Sequence, residues 1–291
     1  MKTLTLHLLL TLAAVQAQGA PPHTVAVLSR AQGVYMEAFS AFQAAYGAEI
    51  PHYDLSRSRP SLPPGVRTVV AFGGKAAAWR YPAHVNVVYA MAPGLIIPPR
   101  GSARAVAVKV SLIPAMPRVL SRIKEIQPGL KRLTIFWTAP RYDALAQRAK
   151  ADGAALGMTV TLRRVEGSEK LPGLLRGEMG EMDAFWLPPD PLLVTQDNLR
   201  TLREFSWGNG IPFYGATRGI TREGAVASIG VTFRGVGETA AGLVRRLEAG
   251  ETLPAVVHPG AEELTLNATA ARHCGISIPG RLAGGAALLF P

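Results

Sequence analysis

The sequence predicts an α/β protein of two lobes, each a parallel sheet with helices on both faces. Three observations predict it. Segments with apolar residues at helical spacing alternate with short runs that are apolar almost without a break, and such runs are strands buried on both faces, as in parallel sheets. About thirteen such elements fall into two groups of similar size, which argues for two sheets rather than one large one. The 291 residues, at about 150 per domain, are enough for two domains.

Val25–Leu28 is the first apolar run, and Val34, Ala38, Phe39, Phe42 and Ala45 mark a helix after it. Arg67–Phe72 is a β-branched run closed by Gly73-Gly74, with a helix starting over Lys75–Trp79. Val85–Ala90 and Arg104–Val110 are the next strands. Met116, Val119, Leu120, Ile123 and Ile126 line one helix face, which stops before Pro128-Gly129. Leu133–Trp137 is a strand, Tyr142–Leu156 an Ala-rich helix closed by Gly157, and Met158–Leu162 and Ala184–Leu187 are strands. Asn198–Trp207 is a helix with Leu199, Leu202 and Phe205 on one face. Ile211–Tyr214 and Val226–Phe233 are strands, and Gly237–Ala249 is a helix stopped by Gly250. Asn267 reads as the N-cap of a short helix, Ala268–Cys274, with Gly275 just past its end.

Composition excludes several classes. Hydrophobic residues are 48% and charged residues 18%, too apolar for a disordered chain. The single cysteine, Cys274, excludes an internal disulfide and any Cys-based zinc site, and the six histidines show no metal-ligand spacing. The net charge of +11 invites a nucleic-acid reading. The basic residues are spread along the chain, however, with pairs such as Arg163–Arg164 as the densest groups, so nucleic acid is not an expected partner.

Met1–Lys2 followed by the apolar stretch Leu4–Val15 and by Val15-Gln16-Ala17 reads as an export leader over 1–17, with cleavage before Gln18. No Cys follows the cut, so a lipoprotein is not expected. The expected location is the periplasm, as a soluble protein.

Ligands of parallel sheets sit beyond the carboxyl ends of the strands. That rule singles out Ser29, Gly73, Gly74, Met91, Trp137, Thr138, Asp190, Tyr214 and Phe233 as candidate ligand-binding residues. Gly73-Gly74-Lys75 opens a helix after a strand, where free N–H groups and the Lys75 ammonium suit an anion; the other reading is a tight turn with Lys75 in solvent. Trp137, Tyr214 and Phe233 either stack on a planar ligand or pack in a lobe core. Asp190, between Pro189 and Pro191, either receives a ligand cation or caps the following segment. No Gly-x-Ser-x-Gly, His-Glu-x-x-His or P-loop pattern occurs, and no cofactor, metal or catalytic residue is expected. Gly235-x-Gly237-x-x-Ala240 mimics a dinucleotide motif but reads better as a helix start at a hinge.

Five segments carry a family resemblance. Asp183-Ala-Phe-Trp-Leu-Pro-Pro-Asp190-Pro, Gly210-Ile-Pro-Phe-Tyr-Gly215 and Glu223-Gly-Ala-Val-Ala-Ser-Ile-Gly230 come first. Gly235-Val-Gly237 with Leu247-Glu-Ala-Gly250-Glu, and Leu266-Asn267 with Gly275-Ile-Ser-Ile-Pro279, follow in the same order. Together they resemble the ABC transporter substrate-binding family whose characterised members take up aromatic amino acids. Before Asp183 the likeness is looser: Phe72-Gly-Gly-Lys-Ala-Ala77 stands where the family has a Thr-Pro-Ala-Ala type of turn.

The resemblance implies a type I periplasmic-binding-protein architecture, two Rossmann-like lobes joined by three crossings near Lys109–Leu112, Thr232–Arg234 and Val256–Pro259. It divides the chain into 24–110 plus 234–256, and 111–233 plus 257–280, with the tail 281–291 unassigned. It implies a monomeric, non-enzymatic solute-binding protein of an importer, a small-molecule ligand in the cleft, an ABC permease in the inner membrane as partner, and Asp190 as receptor of a ligand amino group. The alternatives are an exported accessory or sensor protein of the envelope with this fold, and a ligand-sensing effector domain.

Overall fold

The computed structural model describes residues 23–97 and 105–291. The expected leader over 1–17 lies outside them, as does Arg104 at the start of one expected strand. The chain begins with β1 (Thr24–Leu28), α1 (Val34–Tyr46), β2 (His52–Asp54), β3 (Thr68–Phe72), α2 (Gly74–Ala77), β4 (Asn86–Ala90) and β5 (Ala107–Val110). It then passes to α3 (Met116–Ile126), β6 (Arg132–Trp137), α4 (Asp143–Ala155), β7 (Thr159–Arg164), α5 (Leu171–Gly177), β8 (Ala184–Trp186), α6 (Gln196–Asn209), β9 (Phe213–Gly215), α7 (Arg218–Arg222) and β10 (Ala227–Gly230). It returns for α8 (Phe233–Glu248) and β11 (Val256–Val257), and ends with β12 (Glu263–Asn267), α9 (Ala268–His273), α10 (Gly280–Gly285) and β13 (Leu288–Phe290).

These strands form two sheets, ordered β11-β5-β4-β3-β1-β2 and β13-β12-β10-β9-β8-β6-β7. Among the described residues the chain passes between them three times: after β5, after β10 and after β11. The first sheet shows why its strands read as unbroken apolar runs. Ala26, Leu28, Val70, Phe72, Val88 and Ala90 face a core shared with α1 and α8, and the alternate residues Val25, Val27, Val69, Ala71 and Val87 face a second core on the opposite side. The second sheet is likewise covered on both sides, by α3 and α4 on one face and by α5, α6 and α7 on the other.

Three local features differ from expectation. The pair β10–β12 is antiparallel, with Gly230 opposite Glu263. The reason is topological: β10 leaves the second lobe at its hinge end, and β12 enters at that same end after a short connection from β11, too short for the crossover that a parallel neighbour needs. The tail 281–291 carries α10 and adds β13 beside β12, in parallel. The third is Phe233, expected at a strand end; it is instead the first residue of α8. Thr232 caps that helix, its hydroxyl oxygen accepting the N–H of Gly235 at 2.9 Å, so the strand has already ended at Gly230.

Gly237 explains itself by packing rather than by a nucleotide. α1 and α8 cross so closely there that a Cβ on Gly237 would overlap the carbonyl oxygen of Ala38 and lie 2.8 Å from the N of Phe42.

Candidate functional site

In the first lobe, the carboxyl ends of β1, β3 and β4 lie side by side and are joined by the backbone. Ser29 N–H donates to Phe72 O at 2.8 Å, and Gly73 N–H to Ala90 O at 2.8 Å. Ser29 is buried, and its hydroxyl oxygen accepts the N–H of Ala76 at 3.0 Å, so the first turn of α2 is capped from within. Gly73 has φ +98°, and a Cβ there would meet Ser29 Oγ at 2.5 Å and Tyr35 Cε1 at 2.7 Å, which leaves glycine as the residue that fits. Gly74 and Lys75 are exposed, and Lys75 faces a shallow surface hollow with Arg57, Arg59 and Trp79. Met91, just past β4, holds φ +54°, the sole positive φ of a non-glycine among the described residues. A left-handed methionine is strained backbone, of the kind that persists where a loop is tightly held.

In the second lobe, Asp190 ties two loops together. Its Oδ2 accepts the backbone N–H groups of Thr138 and Ala139, each at 2.7 Å, and its Oδ1 accepts that of Leu192 at 3.0 Å. The side chain has no exposed surface. Asp190 thus follows its strand on a proline-flanked turn as expected, with its carboxylate turned into the lobe and occupied there. Trp137 is buried, and its indole N–H donates to Asp143 Oδ1 at 2.6 Å. Tyr214 is fully buried in the core under α3, its hydroxyl donating to Gln127 Oε1 at 3.0 Å. Thr138 is half-buried, and Phe233 is half-buried beneath the Arg218 guanidinium, 5.7 Å from the ring centre.

A cavity of about 620 Å³ lies between the lobes at the hinge end of the cleft. The first and third crossings border it, through Ser111–Ile113 and His258. Pro93 and Lys109 reach it from the first lobe, and Met116, Arg141, Tyr142 and Pro189 from the second. Loops at the strand ends set this shape: the chain beyond Met91 brings in Pro93, the one beyond Thr138 brings in Arg141 and Tyr142, and Pro189 precedes Asp190.

Hydrogen bonds hold the walls in place. Tyr142 Oη donates to Pro189 O at 2.7 Å, and His258 Nδ1 lies 2.8 Å from Ile113 O. The Lys109 ammonium donates to Leu95 O at 2.9 Å and Pro93 O at 3.4 Å. Burial pushes the Tyr142 phenol up to about 12, with the Asp190 charge adding to the rise and Arg141 opposing it. Burial, and then the charge of Arg141, lower the pKa of the Lys109 ammonium.

None of the ten candidate ligand-binding residues lines this cavity; Pro93, Arg141 and Pro189, one to three places from Met91, Thr138 and Asp190, do. The missed signal was the crossings themselves. Lys109 and His258 stand in two segments that the sequence marks as hinge, and Arg141 follows Pro140 just past a strand. Among the described residues no group of His, Cys, Asp or Glu is placed to hold a metal ion, and no helix is long and apolar enough to cross a membrane.

Comparison with known proteins agrees with this architecture. A model of the family described as ABC transporter substrate binding protein matches residues 109–288. No curated protein matches the chain in sequence. Among solved structures, the chain is similar to the ligand-free, open structure of a substrate-binding protein with adhesive properties from Clostridium difficile, with TM-score 0.68, 13% identity, and 92% of this chain and 99% of that one covered. It is also similar to a domain from Streptococcus pneumoniae in complex with L-Trp, with TM-score 0.60, 14% identity, and 93% and 100% covered. A conserved domain protein from Vibrio cholerae matches with TM-score 0.59 and 15% identity over 91% and 99%. At these identities the likeness is one of fold: two mostly parallel α/β sheets, the type I periplasmic-binding-protein arrangement.

Proposed function

Because this chain belongs to the ABC transporter substrate-binding protein family, we propose that it captures a small ligand between its lobes and delivers it to an ABC permease. The observation that carries this reading is the cavity of about 620 Å³ whose walls come from both lobes and whose border is the crossing segments. A ligand held there touches two bodies that the chain joins only through short connections. It binds best when both walls reach it, so its binding energy favours the closed arrangement over the open one. Capture without turnover is part of this proposal.

The family and the N-terminal sequence support a reading of the location. We place the protein in the periplasm as a monomer, released by cleavage before Gln18 and without a lipid anchor. Mass spectrometry of the exported protein is expected to begin at Gln18; an intact Met1 overturns this location.

A thermal-shift screen of the chain from Gln18 onward, against amino acids, small peptides, nucleosides and organic acids, tests the capture itself. A ligand at about 100 times its dissociation constant stabilises the folded state by about 2.7 kcal/mol, a melting shift of several degrees at this size. Absence of a saturable shift with every class, or turnover of a bound compound, counts against the proposal.

A further inference from the structure

Resting on that reading, we propose that the ligand of the inter-lobe cavity is an organic anion, its oxyanion held between Arg141 of the second lobe and Lys109 of the first. The charges around the cavity are one-sided. Lys109, Arg141 and Arg148 line it, against the single carboxylate of Asp152, and His258 faces it from the third crossing. None of the three cations is ion-paired with a carboxylate among the described residues; some cations elsewhere are, as Arg122 is with Glu262, Arg132 with Asp183 and Arg163 with Glu178.

Arg141 is the anchor of this inference. Its Nε is buried without a hydrogen-bond partner, and an unmet buried donor is costly. Its guanidinium lies against Gly94, where a Cβ would come within 2.6 Å of Cζ, so the missing side chain makes room for the group to reach across to the first lobe. The Lys109 ammonium is close enough to feel the Arg141 charge, and its two carbonyl partners leave that charge uncompensated. Two like charges from opposite lobes, in a partly dry space, call for a shared counter-ion. A carboxylate or phosphate accepts from the planar fork of Arg and from the ammonium at once, with charge-assisted bonds about twice as strong as neutral ones. Leu112, Ile113, Met116 and Leu145 form the apolar remainder of the wall, so the anion has an apolar body. Asp152, with one buried and unpartnered oxygen, accepts a hydroxyl or N–H of that body.

Calorimetry and thermal shift with the chain from Gln18 onward test this, using benzoate, phenylacetate, hexanoate and phenyl phosphate as probes. The neutral amides of the three acids, and the zwitterions phenylalanine and norleucine, are the comparison. One or more of the anions is expected to bind saturably and more weakly at high salt, with the matching amide at least tenfold weaker. Arg141→Met and Lys109→Met are expected to lose tenfold or more, Arg141→Lys to fall between, and Arg200→Gln on the exposed side of α6 to match the unaltered protein. Melting of each variant without probe separates lost binding from lost fold. Equal binding of acid and amide overturns the proposal, as do full binding by a folded Arg141→Met variant and failure of all four anions. If neutral or zwitterionic solutes bind where anions do not, the anion assignment falls and solute capture stands. If no solute of any class binds, both fall.

Discussion

The carboxylate of Asp190 accepts the backbone N–H of Thr138 at 2.7 Å and thereby fastens the loop after β8 to the loop after β6. The same oxygen takes Ala139, and the other takes Leu192, so three buried or half-buried donors depend on one side chain.

Asp190→Ala is therefore expected to weaken the fold in the absence of any ligand. Hydrogen bonds to a charged group contribute about 1.5–3 kcal/mol each, and their joint loss is expected to cost about 3–4 kcal/mol, near the upper end for single substitutions. Melting of the unliganded variant checks this, with a drop of roughly ten degrees expected. An unchanged melting temperature would show instead that the carboxylate is free for a ligand.

Two glycines of α8 are expected to respond in opposite directions to the same substitution. Gly237→Ala forces a methyl into the backbone of α1 beside Ala38, an overpacking that costs about 1–3 kcal/mol. Gly242→Ala meets nothing within 4 Å and is expected to stabilise the helix by about 0.5–1 kcal/mol. Denaturant unfolding of both variants checks the sign of each change.

The Tyr142 phenol donates to Pro189 O and is pushed up to about 12 by burial. An unfolded phenol titrates near 10, so the folded state favours the protonated form. The stability this contributes is present in full below pH 10 and is lost as pH rises through the folded value. Stability is thus expected to fall between about pH 10 and 12, and less steeply in Tyr142→Phe. Unfolding curves across that range, with ultraviolet difference titration of tyrosine, check the sign.

Cys274 is expected to be a slow thiol. It is 8% exposed, its Sγ lies 3.5 Å from Ser206 Oγ, and burial raises its pKa, so little thiolate is present at neutral pH. Labelling by a thiol reagent is expected to be slow in the native protein and fast after denaturation. Rapid native labelling contradicts this placement.

Much of the fold was legible because it is written in local patterns. Unbroken runs such as Val25–Leu28 and Thr68–Phe72 are strands covered on both faces, and the helical spacing of Met116, Val119, Leu120, Ile123 and Ile126 marks the face that α3 turns to its sheet. Asn267 is the N-cap its sequence suggested, accepting the N–H of Ala270 at 2.8 Å. The short strand β2 escaped notice because its residues His52–Asp54 are partly exposed and polar, and β12 because its direction depends on where the chain re-enters the lobe.

By itself, the sequence determined that there are two α/β lobes and which faces of their strands and helices are apolar, because burial on a strand or helix imprints a short period on the chain. Tertiary structure alone decided that Asp190 turns inward to Thr138, that Gly237 sits against Ala38, and that the cavity is lined by Pro93, Lys109, Arg141, Pro189 and His258. Those five residues are far apart in the chain and share no pattern. What unites them is the placement of two separately built sheets across three crossings, and no periodicity along a single segment records how two such bodies face each other.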